Sequence, residues 1–134
     1  MSNLKKLTLL HSNDLHGDFL AEKVDERLIG GVSMLSGYVN KVRAEEKNTI
    51  YCIAGDMFRG SVIDSEFRGI STIEIMNMLS PDVVTIGNHE IDYGIAHLFS
   101  LKNAQNFQLL MQTCILLPIM QDYLNPITLL KWMG

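Results

Sequence analysis

With 134 residues, 47% of them hydrophobic, the chain has the apolar material for one modest domain, and its two cysteines are too few for a disulfide framework. Eleven basic and 15 acidic residues give a net charge of −4 with no basic cluster, which argues against nucleic acid or an anionic membrane as a partner. The apolar stretch before His11 is too short for a signal peptide or a membrane span, so the expectation is a cytoplasmic chain with Cys52 and Cys114 reduced.

Residues 7–11 read as a short buried strand that runs into a polar loop over 12–18. Gly30 and Gly31 then break the chain. Val32, Leu35, Val39 and Val42 follow at helical spacing, with Lys41, Arg43, Glu45 and Glu46 toward the exposed end. A second apolar strand over 49–54 is halted by Gly55-Asp56, and Gly60-Ser61 marks a turn. Residues 70–79 form the next helical stripe, in which Ile70, Ile73, Met76 and Leu79 are core positions. Ser80-Pro81-Asp82 stops it. Residues 83–86 make a third strand, closed by Gly87-Asn88-His89-Glu90, and 91–102 read as a helix. Three β-α units in alternation predict an α/β fold with a mainly parallel sheet.

Each predicted strand ends in a cluster able to hold metal: Asn13-Asp14-Leu15-His16-Gly17-Asp18, then Gly55-Asp56, then Gly87-Asn88-His89. In a parallel sheet the carboxyl ends open on one edge, where α/β proteins place their sites. Asp14 and His16, two apart at a strand end, point the same way. A mixed Asp, His and Asn set suits Mn, Fe or Zn better than Ca, which prefers oxygen alone. Singly, each cluster has a plain structural explanation, since Gly55-Asp56 and Gly87-Asn88 are ordinary turn signals. A zinc-protease pattern at His89-Glu90 fails because Tyr93 occupies the position of the second histidine. His11 and His97 fit no cluster and are taken as packing or surface residues. Three clusters in order, each after a strand, give the set its weight.

These phrases, Leu9-Leu10-His11-Ser12-Asn13-Asp14-Leu15-His16-Gly17, Ile53-Ala54-Gly55-Asp56-Met57-Phe58-Arg59-Gly60-Ser61 and Gly87-Asn88-His89-Glu90-Ile91-Asp92-Tyr93-Gly94, resemble the calcineurin-like metallophosphoesterases, and most closely their 5'-nucleotidase/UDP-sugar hydrolase branch. The resemblance covers about residues 6–107. It implies an αββα metallophosphoesterase sandwich, incomplete in this chain, and two divalent metal ions such as Mn, Zn or Fe. Asp14 and His16 would bind the first metal, Asp56 would bridge both, and Asn88 would bind the second. His89 matches the family's catalytic histidine and Asp92 the carboxylate that orients it. The implied chemistry is inline attack of a metal-activated water on phosphorus, with a nucleotide or other phosphomonoester as substrate. Two alternatives stand beside it: a phosphodiesterase of the same superfamily acting on cyclic nucleotides, and a non-enzymatic remnant with a partial metal site.

The resemblance also implies what to expect beyond residue 107. The family's further metal-binding histidines and its C-terminal substrate-binding domain have no counterpart here, so the chain is expected to be truncated and weakly active or inactive alone. All but Asp122 and Lys131 of the charged residues precede Asn103, and residues 108–134 form an apolar tail. One lost base at Gln108 would explain this, because restoring it yields the Asn-Phe-Pro phrase of relatives and a charged continuation. A sheet that stops early and a tail of low charge predict aggregation through an exposed edge.

Overall fold

The structure, a computed structural model, describes residues 4–101 and 104–110. In chain order it contains β1 (Thr8–Ser12), β2 (Glu22–Val24), β3 (Arg27–Ile29), α1 (Gly31–Glu45), β4 (Thr49–Ala54), α2 (Val62–Phe67), α3 (Ile70–Leu79), β5 (Val83–Thr85), a 3₁₀ turn (His89–Ile91), α4 (Ile95–Leu101) and β6 (Gln108–Leu110). Four of the strands form one sheet in the order β1-β4-β5-β6. All its pairings are parallel, with Leu10 opposite Tyr51, Ile53 opposite Val84 and Val84 opposite Leu109. The α/β class with a mainly parallel sheet is therefore as the periodicity predicts.

Helices cross between successive strands and bury one stripe each. Val39 of α1, Ile73, Met76 and Leu79 of α3, and Leu98 and Leu101 of α4 close over Tyr51 and Ile53 of β4 and Val84 of β5. Burying side chains of this size contributes about 1.5–3 kcal/mol each. Met57 and Phe58, in the loop after β4, are also in the core. That loop is thereby anchored by its own apolar residues immediately beyond Asp56, a polar segment tied down from one side.

The structure differs from the sequence pattern at Ile70, which is exposed rather than core, and in four elements. β1 is not a buried strand: Leu9 is 62% exposed and His11 is exposed, while Leu10 alone of the three packs on the core. Period two is what a terminal strand with one covered face requires. The antiparallel hairpin β2–β3 was hidden because every one of its strand residues is exposed, so no apolar alternation marks it. α2 begins where only a turn was read, and Ser61 caps it by accepting the Asp64 amide at 3.1 Å. Finally, the expected helix over 91–102 is split at Gly94, whose φ of 93° an α-helix does not admit. Of the apolar tail, Gln108–Leu110 form β6 against β5, while residues 111–134, with the proposed shift of frame, lie outside the described residues.

Candidate metal centre

The loop after β1 runs alongside the loop after β4 and continues their pairing. Asp14 N–H donates to the Gly55 carbonyl at 3.2 Å, His16 N–H to the Asp56 carbonyl at 3.0 Å and Gly17 N–H to the Met57 carbonyl at 2.7 Å. The bonds deliver three side chains to one place, where one ligand atom each from Asp14, His16 and Asp56 lies within 4.8 Å of the others. All three residues are left-handed, with φ of 51°, 49° and 50°. That conformation costs about 1–3 kcal/mol per non-glycine residue and concentrates at sites where function fixes the backbone.

His16 is held by two backbone carbonyls. Its Nδ1 lies 3.0 Å from the Arg59 carbonyl and 3.3 Å from that of Phe58. Carbonyl oxygens only accept, so Nδ1 carries the proton and the Nε2 lone pair is free, 3.8 Å from Asp14 Oδ1. Gly60 permits this approach, because a Cβ there would collide with the His16 carbonyl oxygen and side chain. Asp14 itself accepts from the Asn13 side-chain amide.

The loop after β5 supplies the second group. A Cβ on Gly87 would strike the Asp56 carboxylate, so only glycine lets the two loops come this close. Asn88 follows with its side chain exposed, at the start of the 3₁₀ turn. His89 donates its backbone N–H to Asp56 Oδ1 at 3.0 Å, and its Nδ1 lies 2.8 Å from Asp92 Oδ2. Its ring meets that of His16 edge-on at 5.0 Å between centroids. The hydrogen bond to Asp92 raises the His89 pKa above the ordinary histidine value, and the same bond lowers that of Asp92. Arg59 Nε also reaches Asp92 Oδ2, at 3.3 Å, with its guanidinium over the Tyr93 ring. The structure thus groups Asp14, His16 and Asp56, and sets the His89–Asp92 pair beside them.

Three supporting residues were missed by sequence reasoning. Asp64 is wholly buried and accepts from Arg59 N–H at 2.7 Å, Thr72 Oγ1 at 2.5 Å and Tyr93 Oη at 2.8 Å. Glu90, 1% exposed, accepts from backbone amides of the loops after β4 and β5. Arg59 bridges toward Asp92. A signal existed for Glu90, since a charged residue inside a glycine-rich turn phrase invites the question of what it holds. Asp64 gave none, because an Asp in the first turn of a helix is commonplace.

The donor set fits a divalent transition metal. Two carboxylates and an imidazole with its tautomer fixed are the ligands such ions take, and three protein donors leave positions open for water or substrate. A parallel α/β sheet that brings such a set together at the ends of neighbouring strands makes a candidate metal site. The chain belongs to the calcineurin-like phosphoesterase family, whose sequence model matches residues 7–131. It is similar to the 5'-nucleotidase of Mus musculus, 33% identical over 109 residues that cover 75% of this chain and 19% of the relative. It is also similar to the snake venom 5'-nucleotidase of Crotalus adamanteus, 34% identical over 78% of this chain and 19% of the relative. Among solved structures it resembles a 5'-nucleotidase precursor from Thermus thermophilus, with a TM-score of 0.70 and 29% identity over 78% of this chain and 21% of that one. The NAD nucleotidase of Haemophilus influenzae aligns with a TM-score of 0.70 and 28% identity over 82% of this chain and 22% of that one. The chain thus spans about a fifth of the length of the curated relatives it matches. No helix among the described residues is long and apolar enough to cross a membrane.

Proposed function

We propose that this chain forms part of the catalytic centre of a dinuclear metallophosphoesterase that hydrolyses nucleotides in the manner of a 5'-nucleotidase. The observation that carries the reading is the convergence of Asp14, His16 and Asp56 ligand atoms within 4.8 Å, with the hydrogen-bonded His89–Asp92 pair beside them. Asp14 and His16 would hold one divalent ion, Asp56 would serve both and Asn88 would serve the second. Such ions supply Lewis acidity, which makes water nucleophilic at neutral pH and offsets charge on phosphoryl oxygens.

The remaining work falls to the chain's own groups. His89 donates its Nδ1 proton in a hydrogen bond to Asp92, so Nε2 is the nitrogen left to meet a phosphoryl oxygen, and the raised pKa favours the protonated ring that can donate to it. Asp92 holds the ring's orientation and stabilises its positive charge. The three donors grouped here leave much of each coordination shell to water, so low turnover is expected.

Titration with Mn, followed by phosphate release from a nucleoside 5'-monophosphate, tests the proposal. Saturable Mn binding and trace hydrolysis are expected, both lost in Asp56→Ala, with hydrolysis alone lost in His89→Ala. Hydrolysis that survives chelation of metal, or Mn binding unchanged in Asp56→Ala, would overturn it.

A further inference from the structure

Glu90 is the one buried carboxylate at this end of the sheet, among the described residues, that accepts from the loops after both β4 and β5 and that the proposed chemistry does not use. Its Oε1 accepts from Met57 N–H at 2.6 Å and Phe58 N–H at 3.3 Å, and its Oε2 from Gly87 N–H at 2.5 Å and Asp56 N–H at 2.9 Å. Four amides from two loops therefore meet on one side chain that is 1% exposed.

The sheet explains why they need it. Pairing between β4 and β5 ends at Ala54 opposite Thr85, and beyond that point both chains leave the ladder. Asp56 is left-handed, and Gly87 presses against its carboxylate, so neither loop offers carbonyls to the other's amides. Buried amides left without acceptors are destabilising, so such groups are almost always paired. Three successive N–H groups at 56–58 make a concave donor array of the kind that binds anions, and Glu90 fills it from within the chain. The tie is reciprocal, because Asp56 Oδ1 accepts the amide of His89, next to Glu90.

We infer that Glu90 is a positioning residue that fixes the distance between Asp56 and the Asn88-His89 turn, and so sets the affinity of the metal site. The inference rests on the metal reading above for its consequence, while the geometry of the tie is independent of it. Glu90→Gln keeps the size and replaces one acceptor oxygen by an amide group that faces donors. Glu90→Asp keeps both oxygens on a stem shorter by one methylene.

The test uses the full chain and Mn alone. In the metal-free protein the amide protons of Met57 and Gly87 should resonate far downfield and exchange slowly, and both signatures should vanish in Glu90→Gln. Mn affinity should fall about tenfold or more in Glu90→Gln, the scale of lost outer-shell support, and by less in Glu90→Asp. Asp82→Asn is the control. Asp82 also accepts a backbone amide, that of Tyr51 at 2.8 Å, far along the strand from the site, so its variant should bind Mn as the wild type does. A merely structural role would lower Mn affinity in both. Wild-type Mn affinity in folded Glu90→Gln, or in folded Glu90→Asp should the first variant not fold, overturns the inference. Wild-type protein that takes up no Mn overturns the metal reading and with it the effect on affinity. Persistence of the downfield amides in Glu90→Gln overturns the tie itself.

Discussion

Replacing Asp64 should cost this domain a large share of its stability, although the residue lies outside the metal cluster. Its carboxylate takes hydrogen bonds from Arg59 N–H, Thr72 Oγ1 and Tyr93 Oη, and of these Tyr93 Oη also lies 3.3 Å from the Asp64 backbone carbonyl. Thr72 is wholly buried, so Asp64→Ala leaves its hydroxyl with a desolvation penalty of about 1–3 kcal/mol. The Arg59 amide and the Tyr93 hydroxyl are part-buried and recover some hydration, so each loses about 1 kcal/mol. The cost totals about 3–5 kcal/mol, set against the roughly 5–15 kcal/mol that holds a typical domain folded. Urea unfolding followed by far-ultraviolet circular dichroism measures it, and at a slope of about 1–2 kcal/mol per molar the midpoint should fall by about 1.5 M or more. Asp64→Asn keeps the volume and one oxygen, so its cost should be about half as large. Tyr93→Phe removes one donor and should cost about 1 kcal/mol. A midpoint for Asp64→Ala within about 0.5 M of the wild type, at unchanged slope, would refute the claim that this buried acceptor organises the loop.

Gly60→Ala should leave the backbone conformation allowed yet push His16 off its position, weakening Mn binding by about tenfold in a calorimetric titration while the circular dichroism spectrum stays native. In metal-free protein, the His89 imidazole followed by NMR should titrate above the ordinary histidine range, and Asp92→Asn should bring it back down. The groups facing it are Asp92, Asp56, Glu90, the His16 ring and, through Asp92, Arg59. Because the folded pKa of His89 is raised and that of Asp92 lowered, the stability this pair contributes is fully present between the unfolded carboxylate and unfolded histidine values, and is lost as pH rises through the folded value of His89 or falls through that of Asp92. Cys52 should be alkylated only at higher pH than a free cysteine, since burial and then Asp82 raise its pKa; peptide mapping by mass spectrometry after iodoacetamide reads this directly.

The parallel sheet was legible because its evidence is local and periodic. Residues 49–54 are an uninterrupted apolar run, and Tyr51 and Ile53 are indeed buried in the sheet. Asp14, His16 and Asp56 were legible for a different reason: a parallel sheet places the ends of neighbouring strands on one edge, so order along the chain becomes proximity in space. The hairpin β2–β3 carried neither signal. Its strand residues are all exposed, and what shapes it is the turn at Asp25, with φ of 56°, rather than any apolar face. The break at Gly94 was lost inside an otherwise helical composition.

What could not be read was the support of the site, and the reason is physical. A ligand announces itself by residue type, because few side chains can hold a metal. A supporting carboxylate such as Glu90 or Asp64 is defined by what its environment lacks, namely acceptors for amides and hydroxyls that have left regular structure. That deficit exists only after β4 and β5 have diverged beyond Ala54 and Thr85 and after α2 has turned Asp64 inward beneath Tyr93. Both residues are more deeply buried than any of the proposed ligands: Asp64 and Glu90 are in the core, whereas Asp14 is exposed and His16 and Asp56 are half-buried. The proposed metal-binding side chains face outward while two acidic residues behind them accept the loop amides, those of the left-handed Asp56 and Arg59 among them.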